Sequence, residues 1–391
     1  MNHKNKLKIV FAESILSAAG VGICIPIMVV FFNSIGMNQA LIGISQMMFT
    51  IAILFADIPM GYIADRYSRK KLNIIGDFGV ALAFGIYAFA PGFWVVVLCE
   101  VLVGAFFGMT NGVDDSFVKF YSDKIDESGK LFKKNVARLK ACHFIALPIA
   151  ILIGMFVSKF DLRLCIAAVA VPYLIGGILA FFIDDIGDKI QSRDKNHIKD
   201  MIKSVSSVLK PKKVKWLVAA YAASREITHP VIWVFTPLLL LVGVPVYLVG
   251  IGWIFNYIFS IFGTFLAGKM AEAKPSVKLA MPILIAALGM LPIIINVNIV
   301  TVWMFALVGF AQGFSAVAIS PIIQREIEDK YQTTAISIAT TSARLFYIPV
   351  VAITNWAGDI KPEYTLLATL IIFLPLALVI YEELRSFEKV V

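Results

Sequence analysis

The stretch YAASREITHPVIWVFTPLLLL, Tyr221 to Leu241, is apolar enough to lie in a lipid bilayer, yet Arg225, Glu226 and His229 fall in its first third. Each ionisable group buried there costs roughly 2.5 kcal/mol or more unless something compensates it. Their chemistry suggests two tasks. A guanidinium recognises a carboxylate or phosphate through two parallel hydrogen bonds. An imidazole changes charge near neutral pH, and the neighbouring carboxyl is a second place to hold a proton. Tyr221, Arg225, His229 and Trp233 recur every four residues, a spacing that stacks them on one face of a continuous helix, with Glu226 flanking the stripe. The three charged residues could instead satisfy one another as a structural knot. A knot alone would not need an aromatic at each end.

Other polar residues interrupt apolar runs elsewhere. Asn111, Asn256, Tyr257, Gln312 and Arg344 are candidates to join the Tyr221 stripe in contacting a small solute. Glu226, His229, Glu100, Asp57 and Glu13 are candidate proton carriers. Glu13 is also shallow enough to snorkel, and Asp57 also suits a role in the loop that follows it. Arg344 also suits pairing at a gate, as does Arg138. Gly104, Gly108 and Gly112, spaced by four, suit the close approach of a neighbouring helix. Cys24, Cys99, Cys142 and Cys165 are scattered through apolar stretches, a distribution that suggests packing rather than a metal site or a disulfide framework. With no phosphate-binding loop, zinc-protease motif or nucleophile elbow, the sequence suggests no enzyme, no cofactor and no metal.

These residues must be positioned by membrane helices. Of 391 residues, 59% are hydrophobic and 16% charged, against about a quarter charged in soluble domains. A span needs roughly 20 mostly apolar residues, and twelve such stretches follow: 9–33, 39–62, 72–90, 94–118, 137–157, 162–183, 215–241, 245–269, 277–296, 299–322, 334–356 and 364–384. Prolines recur inside them, as membrane helices tolerate. The basic segment at Lys4 to Lys8 opens like a signal peptide, but no small-residue cleavage site follows, so it reads as a retained first span.

Lysine and arginine fix the expected orientation. Alternate loops collect Lys4, Lys6, Lys8, Arg66, Arg69, Lys70, Lys71, the run from Lys119 to Lys134, the run from Lys189 to Lys215, Lys269, Lys274, Lys278, Arg325 and Lys330. The opposite loops hold only Lys159, Arg163 and Lys361. The positive-inside rule therefore places both termini in the cytoplasm. The net charge of +9 reflects these loops rather than nucleic-acid binding. Arg225 then lies about ten residues past the cytoplasmic edge, roughly 15 Å deep.

The polar stretch from Asp184 to Lys213 divides the chain into halves, 1–183 and 214–391, joined by a linker over 184–213. Ile198, Met201, Ile202, Val205, Val208 and Leu209 suggest that part of the linker is a surface amphipathic helix. The halves repeat weakly: GYIADRYSRKKL from Gly61 aligns with GKMAEAKPSVKL from Gly268, and Gly104 and Gly108 recur as Gly309 and Gly313. Six-plus-six repetition suggests a transporter with its site near the bilayer midplane.

GYIADRYSRKKL resembles the loop motif of the major facilitator superfamily, matching at Gly61, Asp65, Arg66, Arg69, Lys70 and Leu72, with Ser68 where glycine is usual. The resemblance covers essentially the whole chain. It implies an all-α membrane protein of twelve transmembrane helices in two pseudo-symmetric six-helix bundles. It further implies a monomer in the cytoplasmic (inner) membrane whose partners are a small-molecule substrate, protons and lipid, with no nucleic acid. It assigns gating to Gly61, Asp65, Arg66 and Arg69, with Asp115, Asp114 and Asp123 as acids for the arginines. Glu100 stands where drug antiporters of the family usually carry arginine, and the fifth span keeps only Pro148 and Gly154 of their glycine-proline run. The expected activity is proton-coupled export of a drug or metabolite. The alternative is import of a polar or anionic solute, such as a carboxylate, amino acid or carboxylate-type siderophore.

Overall fold

The computed structural model describes residues 2–66, 68–110, 112–126, 130–186, 209–270, 272–318, 320–326 and 332–388. Its regular structure is helical throughout the described residues. Eleven helical stretches among them are long and apolar enough to cross a membrane. The first span is His3–Cys24 continued by Met28–Ser34, the second Gln39–Arg66 and the third Arg69–Ala88. The fourth comprises Phe93–Thr110 and Val113–Ile125, the fifth Lys130–Ser158, and the sixth Leu162–Ala168 with Ala170–Ala180. After the linker come the seventh span, Lys212–Glu226 and Ile232–Leu241, then Val249–Lys269, Pro275–Ile295, a tenth ending in Ala306–Ala318 and Ser320–Arg325, Gln332–Gly358 and Pro362–Glu388. The amphipathic stretch expected in the linker falls almost wholly within 187–208, outside the described residues.

The chain forms two compact units. One holds Met1–Met37, Met48–Gln191 and Pro245–Trp253; the other holds Asn38–Met47, Ser192–Val244 and Ile254–Val391. In the first unit, the first span packs on the fifth and sixth, and the third on the fourth and sixth. In the second unit, the seventh span packs on the eleventh and twelfth, and the ninth on the tenth and twelfth. These are the same neighbours shifted by six spans.

The repeat extends to atomic packing. A Cβ on Gly104 would lie 2.5 Å from the carbonyl oxygen of Phe49, and one on Gly309 2.3 Å from that of Asn256. One on Gly313 would fall 1.9 Å from the carbonyl oxygen of Ser260. Each half thus uses glycines of its fourth helix to admit the backbone of its second. Gly112 does not continue this stripe. It takes φ 75° and separates the two helices of the fourth span, a conformation open to glycine at little cost. Large apolar side chains such as Phe55, Trp94, Ile295 and Trp356 are largely exposed, as a surface facing lipid tails requires.

Candidate functional site

The seventh span is not one helix. Helix Lys212–Glu226 stops at Glu226, a turn covers 227–231, and a second helix begins at Ile232. The cause is Pro230, four residues after Glu226. It offers no N–H to the Glu226 carbonyl, and its ring clashes there. The hydroxyl of Thr228 donates to the Arg225 carbonyl at 3.0 Å, taking up an oxygen freed at the break. The stripe expected along one continuous face is therefore corrected. Tyr221 and Arg225 keep their one-turn relation, while His229 sits in the turn and Trp233 on the next helix. Broken membrane helices are tolerated where they are covered by protein or line a cavity.

The break gathers the polar groups. Arg225 donates from Nη1 to the Tyr221 hydroxyl at 3.0 Å and lies over the Tyr221 ring at 6.0 Å. Its Nε stands 3.6 Å from Glu226 Oε1, an ion pair longer than a hydrogen bond. Glu226 is buried, and its Oε2 lies 2.8 Å from His229 Nδ1. The Arg225 side chain remains 47% exposed and that of His229 27%, so both can meet a solute while the carboxylate between them is shielded. The His229 ring meets Tyr347 edge-on at 6.1 Å, and Trp233 Nε1 donates to the Tyr347 hydroxyl at 3.2 Å. Gln39 Nε2 donates to the Trp233 carbonyl at 3.1 Å and to Asn355 Oδ1 at 2.7 Å. Gln39 and Asn355 are additions to the expected set, whereas Tyr347 lies on the polar stripe of the eleventh span that Arg344 marks in the sequence.

The remaining candidates separate. Asn256 is buried and donates from Nδ2 to the Phe305 carbonyl at 3.1 Å, so it ties the eighth span to the tenth. Gln312, Tyr257 and Arg344 are half-buried on their own helices. In the other unit, Glu100 is buried and accepts a hydrogen bond from the Tyr87 hydroxyl at 2.8 Å. Glu13 is buried with Asn73 Nδ2 3.4 Å from its Oε1. Asp57 and Asp115 are half-buried and engaged in polar interactions. Asn111 and the side chains of Asp65 and Arg66, with Gly61, lie outside what is described. Arg69 opens the third span, whose first turn is capped by Ser68 Oγ accepting from Lys71 N. Among the described residues, no three histidine, cysteine or acidic side chains could hold one metal ion.

A family model described as Major Facilitator Superfamily matches residues 10–349, most of the chain. The chain belongs to this superfamily. Several relatives of this facilitator are curated proteins. The multi-drug resistance efflux pump PmrA of Streptococcus pneumoniae is 27% identical over 113 residues, 28% of each chain. Solute carrier family 22 member 3 of Mus musculus is 33% identical over 75 residues, 19% of this chain and 14% of that protein. The tetracycline resistance protein, class H, of Pasteurella multocida is 25% identical over 100 residues, 25% of each. The facilitator spans 30% or less of the length of the curated relatives it matches. Solved structures resemble it end to end. A mutant of the nucleoside transporter NupG superposes with TM-score 0.80 at 15% identity, covering 98% of this chain and 99% of that one. A bacterial homologue of the human lysosomal transporter Spinster gives 0.78 at 14% identity, covering 99% and 98%. At such identities the likeness is one of fold. The facilitator is thus a multi-pass membrane transporter with the fold of this superfamily.

Proposed function

We propose that the protein is a proton-coupled secondary transporter that exports small organic compounds from the cytoplasm by alternating access, with Arg225, Glu226 and His229 at its solute site. The observation that carries this reading is the half-exposed Arg225 guanidinium beside the buried Glu226 carboxylate and its partly exposed partner His229. A proton taken up by that pair changes the charge beside Arg225, and so changes what Arg225 can hold. One proton moving down roughly 100 mV yields about 2.3 kcal/mol, and one assisting pH unit adds about 1.4 kcal/mol. Together these sustain a solute gradient of a few hundredfold. Outward direction is supported by the resemblance to PmrA and the tetracycline resistance protein. In this reading both termini face the cytoplasm, and the Asp65-Arg66-Arg69 loop latches that side.

Arg225 itself favours a second reading, import of a polar or anionic solute, because its Nη2 has no partner among the described residues. A thermal-shift screen of the purified protein at about pH 5.5 and about pH 8 separates the two, since a ligand at 100 times its Kd stabilises by about 2.7 kcal/mol. The panel comprises lipophilic cations, amino acids, carboxylates and carboxylate siderophores. Stabilisation by lipophilic cations, strongest at the higher pH and lost in Glu226→Gln, is the expected result for export. Stabilisation by anions, lost in Arg225→Ala, supports the second reading. Ligand responses indifferent to both substitutions overturn the placement of the site.

A further inference from the structure

The first unit contains a group of acids that the solute site does not use. Glu13 on the first span is 5% exposed. Its Oε1 accepts from Asn73 Nδ2 of the third span at 3.4 Å, and its Oε2 is buried with no hydrogen-bond partner among the described residues. Asp77 stands one helical turn beyond Asn73 on the same side of the third span, its Oδ2 close against Gly176 of the sixth. Asp114 occupies the first turn of helix Val113–Ile125, directly after the left-handed Gly112. Asp114 and Asp77 are the charged groups acting on Glu13, and Asp114 acts on Asp77 as well. Among the described residues, Tyr121 on the fourth span and Tyr173 on the sixth also belong to this neighbourhood, the Tyr121 hydroxyl accepting from Asp184 N at 2.7 Å and the Tyr173 hydroxyl donating to the Ser17 carbonyl at 3.3 Å. On the fifth span, Lys130, Lys134 and Arg138 are exposed, and His143 is half-buried with an interaction of its own.

A buried carboxylate oxygen that meets no donor is costly in a protein interior, and like charges near it deepen the problem. A bound cation resolves it. Among the described residues, no three histidine, cysteine or acidic side chains could hold one metal ion. A proton needs only one oxygen and suits Glu13 Oε2.

We propose that Glu13, with Asp77 and Asp114, forms a proton-binding site in the amino-terminal half, and that its occupancy is read by the packing of helix Val113–Ile125 on the first span. That helix is held there by a small apolar cluster in which Val113, Phe117 and Tyr121 meet Leu7 and Val10. With the proton bound, Glu13 is neutral and Asp114 carries its charge at a helix N-terminus, where the peptide dipoles favour it. Removal of the proton sets two carboxylates in opposition across the cluster, and Gly112 is the point about which the helix yields. The site stands whether or not Arg225 binds solute.

The test is amide hydrogen exchange of the full-length protein in detergent from about pH 5 to about pH 10, corrected for intrinsic exchange, with sodium or choline as the only added cation. Exchange in 113–125 should rise about tenfold or more with pH in the wild type. It should change by less than about twofold in Glu13→Gln, which keeps the shape of the protonated acid. Asp114→Asn should likewise flatten the profile, and infrared difference spectra should lose a protonated-carboxyl band in Glu13→Gln. A wild-type profile independent of pH overturns the proposal, as does a Glu13→Gln profile that tracks the wild type. Protection restored at high pH by sodium but not choline overturns the assignment to a proton and makes this a sodium site. None of these readings uses a solute, so failure here is distinct from failure at Arg225.

Discussion

Replacing Arg225 should weaken binding of an anionic solute far more than it weakens the fold. Among the described residues the guanidinium makes one hydrogen bond of normal length, to Tyr221, and one loose ion pair at 3.6 Å, to Glu226. With its side chain 47% exposed, that pair is worth about 1 kcal/mol or less. Glu226 keeps its 2.8 Å contact with His229 in the variant, so no buried charge is stranded. A charge-assisted hydrogen bond to a solute carboxylate or phosphate is worth about 1.5–3 kcal/mol, or roughly 10- to 150-fold in Kd. Arg225→Ala should therefore lower the unfolding temperature by only a few degrees, while removing at least tenfold in affinity for an anion identified by the screen. Arg225→Lys retains the charge but not the planar fork, and should fall between. Calorimetric titration of the three proteins, with a neutral analogue of the same solute as control, reads the difference. Equal losses for the anion and its neutral analogue would refute the reasoning, as would unchanged affinity in both variants.

Gly313→Ala should destabilise the protein by about 1–3 kcal/mol, because its Cβ would sit 1.9 Å from the Ser260 carbonyl oxygen. Gly85→Ala, where a Cβ meets nothing within 4 Å, should leave thermal unfolding unchanged or slightly improved. At the start of the linker, Asp184 pairs with Lys6 and its backbone N–H donates to the Tyr121 hydroxyl at 2.7 Å. Partial burial alone would raise its carboxyl, but the bond and charge of Lys6 prevail and hold it below its ordinary value of 3.8. The pair therefore stabilises the fold above that value, and its contribution fades as pH falls through the lower folded-state value. Lys6→Ala should lower the unfolding temperature slightly at neutral pH and show no difference once Asp184 is protonated in both proteins. A deficit that persists in acid would mean that Lys6 acts through packing.

The amino-acid sequence by itself determined the number and order of the spans, because length and apolarity are all that a bilayer demands of a helix. It also marked Gly104, Gly108, Gly309 and Gly313, since small residues at a spacing of four have one common use where helices pack in lipid. It drew attention to Arg225, Glu226 and His229, because charge in an apolar run is conspicuous without any structure. It did not reveal that Pro230 ends the helix at Glu226. Prolines at 148, 237, 292 and 349 leave their helices unbroken, so proline alone does not announce a break. Nor did it show that Gly112 serves as a left-handed joint rather than a contact. Tertiary structure alone brought Tyr347 and Gln39 to Trp233, and Asn355 to Gln39, from segments more than a hundred residues away. It likewise committed Asn256 to Phe305 and left Glu13 Oε2 without a partner among the described residues. Periodicity along one chain determines which face a residue occupies, but which atoms stand opposite that face is set by how separate helices cross. That crossing is fixed by glycine contacts, caps and breaks acting together rather than by any single span.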